Sequence, residues 1–505
     1  MKKTLCALLL ALLLCMPPFS PLSAEDRQPD FPDPSRRLRA LLIGCDHFLT
    51  QQDTWPAAES NLRLLSDTLA SDGRHYSLIR SFSGTVSSVF AFEDAVLSTF
   101  QNAAGQDISL LYISTHGIWK EGGDASRTGL LLSDGEEETV LDGAALQRIL
   151  DQVPGTKVVI LDACNAGAII GKGLSDIGEG EYLSGPDYKV LCSAGGSEAS
   201  WYFQGGEEPT VTGASYFATV LSNGLGVQGD YAADQNADGL ITLSEAYSYL
   251  MDNYAASTPQ VYPQSDNEFI LFSYDPDQPR TVRKAVTDIT FEDTLLIAGQ
   301  TEVTFSFTVQ RQAELYYQII YQQDGAWQFD QAQHYLDGEQ ADGTVLPGRK
   351  MRTLALDTGA EAFGYAMIQL ITLEDERPVF QGARLLCVQP AKGEVQLDVI
   401  TGDSFSPESG QELPILVRHD VPCGLSVNIL DADGRGVRRI AYEAPARPQH
   451  LSPAGSTFSW DGRTNRGEAA PAGVYTVQIK VRLGDQTFTV QSEPFQLING
   501  DGLPD

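Results

Sequence analysis

Two short apolar stretches, each followed by a chemically reactive residue, constrain the fold of this 505-residue chain most strongly. The first, Ile108–Ser114, is followed by His116, and the second, Val158–Leu161, is followed by Cys164. Short runs of β-branched and aliphatic side chains are typical of strands that are buried on both faces, as in parallel sheets. Open α/β sheets place their chemistry at the carboxyl ends of such strands. The sequence therefore predicts an imidazole and a thiol at one edge of a sheet.

Alternating strand and helix patterns surround these two stretches and predict a domain over residues 38–275. The alternation favours a mainly parallel sheet with helices on both faces. The predicted elements are a strand over Leu38–Cys45, a helix over Pro56–Leu69, a strand over Tyr76–Arg80, a helix over Phe90–Phe100, a hairpin of Gly129–Leu132 and Thr139–Leu141, a helix from Asp142 to Leu150, a strand over Tyr188–Ala194 and a helix over Gly213–Leu221.

The pattern changes near residue 281, where apolar and polar residues begin to alternate with a period of two. Val303, Phe305 and Phe307 face one side of a predicted strand, and Tyr475 and Val477 do so near the end of the chain. This alternation is typical of antiparallel strands that are buried on one face. It predicts two immunoglobulin-like β-sandwiches, over residues 281–391 and 394–498.

The amino-terminal segment has the pattern of a secretory signal. Lys2 and Lys3 precede the apolar run Leu5–Leu14, and a cleavage site is predicted after Ala24, so residues 1–24 are a predicted signal peptide and 25–37 a linker. No other apolar run is long enough for a membrane span. The chain is therefore predicted to be secreted. A net charge of −33 argues against nucleic acid as a partner.

The cysteine count does not indicate a disulfide scaffold. Removal of the signal peptide leaves five cysteines, an odd and sparse number. Cys45 and Cys192 lie in strand-like runs and are predicted to be buried, whereas pairing of Cys387 with Cys423 stays open. Four histidines belong to no motif and are predicted to lie at the surface. These are His75, His334, His419 and His450.

The pair of Cys164 and His116 is the arrangement that a cysteine nucleophile needs. The thiolate attacks, and an adjacent imidazole takes its proton. The oxyanion formed at an attacked carbonyl needs fixed donors, for which the N–H groups of Gly117 and Cys164 are the candidates. Two reactive residues at two strand ends favour catalysis over a structural role.

The segments Ser114–Gly117 and Asp162–Gly167 resemble those of the caspase-like peptidases, which include caspases, metacaspases, legumains and clostripain-like enzymes. The resemblance covers about residues 38–275 and implies a caspase-hemoglobinase α/β fold, a Cys164–His116 dyad and an oxyanion hole formed by Gly117 and Cys164. It also implies that Asp162, two residues before the nucleophile, lines the specificity pocket, because metacaspases carry aspartate there and cut after arginine or lysine. Asn165-Ala166 departs from the His-Ser of metacaspases.

The carboxylate of Asp162 has two physical interpretations. It can bind a guanidinium or ammonium group at the bottom of a pocket, or it can cap backbone donors of the turn that carries Cys164. Asp46, after the first strand, faces the same edge and is a candidate for a second pocket acid. Lys172 lies in a glycine-rich segment, where a base-specific enzyme could cleave itself.

Residues 234–245 match the calcium loop of an EF-hand. Such loops bind Ca²⁺ through oxygens at alternate positions and a bidentate glutamate at position 12, with glycine at position 6. The predicted ligands are Asp234, Asn236, Asp238, the carbonyl of Leu240, Thr242 and Glu245. The alternative is a calcium-free turn in which Glu245 caps the following helix.

The final domain resembles the immunoglobulin-like repeat of flagellar hook-capping proteins, on the strength of Trp460-Asp461-Gly462 and Pro471-Ala472-Gly473. That resemblance implies a structural module, with attachment to the cell surface through the C-terminal β domains. The chain is therefore predicted to be a secreted, calcium-binding cysteine endopeptidase that acts on protein or peptide substrates. The alternative is a catalytically inactive caspase-like surface or adhesive protein that acts through its β domains.

Overall fold

A computed structural model describes residues 36–498, except 51–56, 119–128, 173–181, 197, 202–213, 255–256, 265, 279–281, 301, 324–325, 330–333, 337–343, 357–363, 375–376, 408–411 and 447–454. The predicted signal peptide and most of the predicted linker lie outside the described residues. Of the helices in the described part of the chain, none has the length and apolar composition that a bilayer crossing requires.

The first domain alternates strands and helices along the chain. Its strands are β1 Leu38–Gly44, β2 Leu78–Ser83, β3 Ile108–Ser114, β4 Gly117–Ile118, β5 Gly129–Ser133, β6 Glu138–Asp142, β7 Thr156–Asp162, β8 Tyr188–Cys192, β9 Leu240–Thr242, β10 Gln260–Tyr262 and β11 Ile270–Ser273. Its helices are α1 Ala58–Ala70, α2 Val89–Thr99, α3 Gly143–Leu150, α4 Tyr216–Gly224 and α5 Leu243–Asn253, with a 3₁₀ turn over Ala166–Ile170.

The central sheet has the strand order β10-β8-β7-β3-β1-β2. Its neighbouring strands are parallel except for β10, which runs antiparallel to β8. Helices α1, α4 and α5 pack on one face, around Leu42 and Tyr112, and helices α2 and α3 pack on the other, around Leu111 and Val159. The predicted mainly parallel sheet with helices on both faces is therefore present.

Side-chain caps fix where several helices begin. Asp142 accepts a hydrogen bond from the N–H of Ala145 at 2.7 Å, so the predicted cap of α3 is confirmed. Helix α4 begins three residues later than predicted, because Ser215 caps it by accepting from the N–H of Ala218 at 3.0 Å. The predicted hairpin is confirmed by the antiparallel pairing of β5 with β6.

The remaining strands form two β domains. Those of the first are β12 Val286–Phe291, β13 Leu295–Ile297, β14 Glu302–Val309, β15 Ala313–Gln323, β16 Ala326–Phe329, β17 His334–Tyr335, β18 Thr344–Val345, β19 Gly348–Ala355, β20 Gly364–Glu374 and β21 Arg377–Gln389. Those of the second are β22 Leu397–Thr401, β23 Ser404–Phe405, β24 Leu413–His419, β25 Gly424–Asp431, β26 Gly436–Pro445, β27 Gly455–Trp460, β28 Gly473–Leu483, β29 Gln486–Gln491 and β30 Phe495–Leu497.

Each β domain consists of two sheets that share one apolar core. In the first, Phe305 and Phe307 of β14 pack with Ile368 of β20, which belongs to the other sheet. In the second, Ile415 of β24 packs with Val427 of β25 in the same way. This two-sheet packing is what the period-two alternation predicted.

His419 corrects one surface prediction. Its side chain is buried, and Nδ1 lies 2.9 Å from the carbonyl oxygen of Val421 while Nε2 lies 3.3 Å from Oγ of Ser456. Burial lowers the pKa of the imidazole, so the neutral form is favoured. His75 is exposed, as predicted.

Candidate active site

Strands β3 and β7 are neighbours in the central sheet and run parallel in register. Ser114, the last residue of β3, lies opposite Asp162, the last residue of β7. The pairing extends one residue further, since the N–H of Thr115 donates to the carbonyl of Asp162 at 3.2 Å. His116 and Cys164 each lie two residues beyond these paired positions, so they emerge at corresponding points of the carboxyl edge. Neighbouring strands are about 4.8 Å apart, which sets the spacing of the two backbones there.

The backbone of Gly117 lies directly against the backbone of Cys164. A Cβ atom built on Gly117 would lie 1.5 Å from the carbonyl oxygen of Cys164. No side chain fits in that space, so glycine is required at this position. The contact brings the residue after the histidine against the cysteine itself.

Backbone N–H groups surround the sulfur of Cys164. The N–H of Ser200 donates to Sγ at 3.3 Å, and the N–H groups of Gly117 and Cys164 lie nearby. Burial raises the pKa of the thiol, the nearby Asp162 raises it further, and these N–H groups partly offset the rise. The side chain is half-buried. A thiol whose pKa is raised is protonated near neutral pH, so a base must take its proton during an attack.

His116, two residues beyond the end of β3, is the candidate base for this thiol. Its carbonyl oxygen accepts from the N–H of Leu131 on β5 at 2.9 Å, which fixes the backbone. The aromatic ring of Phe48 lies 4.5 Å from the imidazole ring, centre to centre, and packs against it at a tilt. The strand β5 and the ring of Phe48 thus position the imidazole at the edge of the sheet.

Asp162 is fully buried beneath this edge and accepts hydrogen bonds from neutral groups. Oδ2 accepts from Tyr112 Oη at 2.9 Å and Asn61 Nδ2 at 3.2 Å, and also from Ser215 Oγ. Oδ1 accepts from Ser200 Oγ at 3.1 Å. Burial raises the pKa of the carboxyl group, and the hydrogen bonds partly offset that effect. Among the described residues, its hydrogen-bond donors carry no formal charge.

Three residues of this site have no motif in the sequence. Ser200 contacts both Sγ of Cys164 and Asp162, while Asn61 bonds Asp162 and also accepts from the N–H of Ser215 at 2.8 Å. Asn61 is fully buried and lies next to Leu62 on the apolar face of α1. A polar amide on such a face is the one signal that sequence reasoning could have used.

Two other predicted residues lie elsewhere on this edge. The carboxylate of Asp46 is 3.0 Å from Nδ1 of His47, and its Oδ1 lies against Gly84, beyond the end of β2. Since β2 is the outermost strand on that side, Asp46 is held at the edge of the sheet away from β7. The ammonium group of Lys172 is buried in an ion pair with Glu412, and residue 173, which follows it, lies outside the described residues, so self-cleavage after Lys172 stays a prediction.

The predicted calcium loop is closed by hydrogen bonds of its own. Asp234 accepts from the N–H groups of Ala237 and Gly239 at 2.7 and 2.9 Å, and from the hydroxyl of Tyr274 at 2.6 Å. Gly239 has a φ of +84°, as position 6 of such a loop demands.

Glu245 spans the two ends of the loop. Its Oε2 accepts from the N–H and the hydroxyl of Thr242 in a capping box, and Oε1 lies 3.3 Å from the N–H of Gln235. Within the described residues, no three histidine, cysteine or acidic side chains approach closely enough to hold a metal ion. The loop therefore forms a turn in which the carboxylates of Asp234 and Glu245 accept hydrogen bonds from groups of the protein itself.

Two protein-family models match parts of this chain. Residues 11–185, which include His116 and Cys164, match the CHAT domain. The amino-terminal part of this protein resembles the caspase-like CHAT family. Residues 423–485 match the FlgD Ig-like domain, within the second β domain. The chain is thus similar to the CHAT family near its amino-terminal end and to the FlgD Ig-like domain nearer its carboxyl-terminal end.

Three solved structures also align with part of this chain. Caspase-1 from Spodoptera frugiperda gives a TM-score of 0.32 at 13% identity, over 48% of this chain and 93% of that chain. Latent PorU from Porphyromonas gingivalis gives 0.18 at 13% identity, over 42% of this chain and 20% of that chain. A protein from Geobacter sulfurreducens gives 0.33 at 11% identity, over 46% and 96%. No curated protein sequence matches this chain.

Proposed function

We propose that this protein is a cysteine endopeptidase whose nucleophile is Cys164 and whose base is His116. The observation that carries the proposal is the contact between Gly117 and Cys164 at the ends of two in-register strands. It supports the proposal because His116, Cys164 and the backbone N–H groups of Gly117 and Cys164 all belong to these two adjacent strand ends. The match to the CHAT domain supports the same chemistry.

The proposed reaction uses the thiol of Cys164, the imidazole of His116 and two backbone N–H groups. The sulfur attacks the peptide carbonyl while His116 takes the thiol proton, and the N–H groups of Gly117 and Cys164 bind the oxyanion. His116 then donates its proton to the leaving amine, and the acyl group stays on the sulfur. Water hydrolyses this thioester, with His116 as the base, and regenerates the thiol.

Cleavage of a peptide library tests this function. The wild-type protein is expected to cleave, and Cys164→Ala is expected to lower kcat by on the order of a thousandfold or more, because the nucleophile is gone. Cys192→Ala is the control, since that thiol is fully buried on β8. Wild-type protein that cleaves no peptide and is not labelled at Cys164 by a chloromethyl ketone would support the inactive surface protein instead.

We further propose a preference for arginine or lysine before the scissile bond, with Asp162 as the recognition group. A fully buried carboxylate without a charged donor among the described residues is costly, and an entering cation would offset that cost. Among the described residues, Oδ1 accepts from Ser200 Oγ and Oδ2 accepts from three side chains, so an entering guanidinium or ammonium group would have to displace one of these donors.

Matched peptides test this preference. Peptides with Arg or Lys at the cleavage position should be cut, and Asp peptides should not. Asp162→Asn should lower kcat/KM for the Arg peptide by about a hundredfold, because a buried charge pair is lost. Equal or faster cleavage of the Asp peptide by wild-type protein would contradict the preference.

We propose that residues 234–245 bind Ca²⁺. Residues that can supply oxygen ligands occupy positions 1, 3, 5, 7, 9 and 12 of the loop sequence. The carboxylate of Glu245 contacts residues at both ends of the loop. The ion would be held by Asp234, Asn236, Asp238, the Leu240 carbonyl, Thr242 and Glu245, and it would replace the hydrogen bonds that now hold these groups. Its role is to stabilise α5 and the adjoining strand β9, with no part in the bond cleavage.

Calorimetric titration and thermal melting test the calcium site. Calcium should raise Tm of the wild-type protein, and Glu245→Gln should abolish most of that rise, because the bidentate ligand loses its charge. Glu268→Gln is the control, since this exposed glutamate lies outside the loop. Unchanged Tm and undetectable binding heat for the wild-type protein would disprove the site.

We also propose that the protein is exported and that its C-terminal β domains attach it to a cell surface. The basic and apolar pattern of residues 2–24 supports export. The Ig-like match over residues 423–485 supports an attachment module. Mass spectrometry of secreted protein should find an amino terminus near residue 25, and protein that keeps Met1 would contradict export.

A further inference from the structure

A buried lysine follows the turn that carries the catalytic thiol. The ammonium group of Lys172 donates to the carbonyl of Val261 at 2.7 Å, to Gln264 Oε1 at 3.2 Å and to Glu412 Oε2 at 3.0 Å. Its side chain is 12% exposed and that of Glu412 is 8% exposed. The cation is therefore fully occupied inside the protein.

Glu412 reaches this lysine from the second β domain. It directly precedes β24, and Oε2 also accepts from Ser459 Oγ on β27 at 3.0 Å. Oε1 accepts from the N–H of Gln264, which belongs to the first domain. Both carboxylate oxygens thus accept hydrogen bonds. The ion pair joins the second β domain, which contains the Ig-like match and is called the Ig-like domain below, to the first domain, which contains most of the CHAT match.

The backbone of Lys172 is tied to the segments that surround the thiol. Its N–H donates to Gly167 at 2.9 Å, and its carbonyl accepts from the N–H of Gly196 at 2.9 Å. The side-chain amide of Asn165 donates to the carbonyl of Gly196 at 3.0 Å. A Cβ atom on Gly167 would lie 2.6 Å from the carbonyl oxygen of Lys172, so the turn is too tightly packed to accommodate a side chain there.

The same two segments supply the donors to the sulfur. The N–H of Asn165 donates to the carbonyl of Glu198 at 2.7 Å, and two residues later the N–H of Ser200 donates to Sγ of Cys164 at 3.3 Å. A continuous path of contacts therefore leads from Glu412 in the Ig-like domain to the sulfur. Paths of this kind carry coupling when their elements move together.

We propose that the Ig-like domain is a built-in activator of the catalytic thiol, which it acts on through the Lys172–Glu412 ion pair. This inference rests on the proposed role of Cys164 as the nucleophile. With the ion pair intact, the turn from Cys164 to Lys172 is fixed and the N–H donors stay aimed at the sulfur. Without it, the turn relaxes and the sulfur loses donors that stabilise its thiolate. Lys172 and Glu412 are therefore positioning residues.

Alkylation of Cys164 in the full-length protein tests the coupling without a substrate. The rate of carbamidomethylation by iodoacetamide is measured by mass spectrometry over a range of pH for wild-type protein, Glu412→Gln and Ser459→Ala. Glu412→Gln should slow the reaction about fivefold or more and move its pH midpoint upward, because fewer N–H groups stabilise the thiolate. Ser459→Ala, which removes one bond to Glu412, should give a smaller change of the same sign.

A matched pair of lysine variants separates coupling from general destabilisation. Lys189 on β8 pairs with Asp266 at 2.5 Å and is about as buried as Lys172, with exposed fractions of 16% and 12% for its pair. Lys172→Met should slow alkylation, whereas Lys189→Met should lower Tm without slowing it. Wild-type alkylation rates in Lys172→Met and Glu412→Gln would overturn the proposal. If Glu412→Gln does not fold, Ser459→Ala decides.

The alkylation readout also keeps this inference apart from the proposed function. Wild-type protein that cleaves peptides, together with unchanged alkylation in the variants, would refute the activator alone. Slower alkylation in the variants, together with no peptide cleavage by any form, would refute the proposed peptidase activity. It would support the coupling between the Lys172–Glu412 ion pair and Cys164.

Discussion

Gly117 sets how closely the strand ends that carry His116 and Cys164 approach each other. Replacement by alanine would put a methyl carbon where the carbonyl oxygen of Cys164 now lies, so the two backbones must separate. We expect Gly117→Ala to fold and to lose at least about a hundredfold in kcat/KM, because the oxyanion donors and the dyad move apart. Gly105→Ala is the control, since no atom lies within 4 Å of a Cβ at that position. Equal losses in the two variants would contradict the prediction.

The thiols of the chain should differ sharply in reactivity. Cys164 is half-buried, whereas the other four described cysteines have no exposed surface. Iodoacetamide should therefore label Cys164 in the folded protein, and peptide mapping should find the others unmodified. Because burial raises the pKa of Cys164, the rate should keep rising above the ordinary thiol pKa of about 8.5. Labelling of Cys45 or Cys192 at a comparable rate would contradict this prediction. Full denaturation before labelling is the control, since all five should then react.

For single residues, the sequence predicted where His116 and Cys164 lie relative to the strands but not which side chains surround them. His116 and Cys164 stand directly after apolar strands, and a local pattern shows that. Asn61 and Ser200 meet Asp162 from positions 101 and 38 residues away, so no local pattern can show those contacts. The burial of His419 was missed for the same reason, because Val421 and Ser456 surround it only after folding.

Among the elements, the loop over residues 234–245, a predicted calcium site, depends on one left-handed glycine. Gly239 has a φ of +84°, and a Cβ there would lie 2.7 Å from both Pro276 and the carbonyl of Tyr274. Gly239→Ala should lower the free energy of unfolding by about 1–3 kcal/mol, through backbone strain and the clash together. Gly434→Ala is the control, since its φ of +76° carries the strain but no atom lies within 4 Å. Urea unfolding should show a larger decrease in the free energy of unfolding for Gly239→Ala than for Gly434→Ala. Equal decreases would contradict the expected contribution of the clash.

Element types were predictable where periodicity is strong. The alternation of strands and helices predicted a parallel sheet, and the period of two predicted both β domains. Helix limits were less predictable, since α4 begins at Tyr216 only because Ser215 caps it. The strand order was not predictable, because it depends on how each crossover packs on the sheet.

For the whole molecule, a net charge of −33 should act on charged substrates at a distance. We expect kcat/KM for a peptide with extra flanking lysines to fall more steeply with NaCl than that for a glutamine-flanked peptide. Attraction of the basic peptide is screened over about 10 Å at 0.1 M salt. Parallel salt dependences for the two peptides would contradict long-range attraction.

The change of pattern near residue 281 predicted where helices give way to strands, but it could not predict the contacts between distant parts of the chain. Nothing near Lys172 or Glu412 in the sequence marks them as partners, since 240 positions separate them. Such contacts depend on shape and charge that appear only when the domains fold.

The order of synthesis gives this long-range ion pair a further meaning. At about 5–20 residues per second, roughly 10 to 50 s pass between translation of Lys172 and translation of Glu412. In a nascent chain, Cys164 is thus synthesised well before Glu412, the residue proposed to fix the turn that follows the thiol. Cells that make this protein would hold the nucleophile in its least reactive form until translation has passed the Ig-like domain.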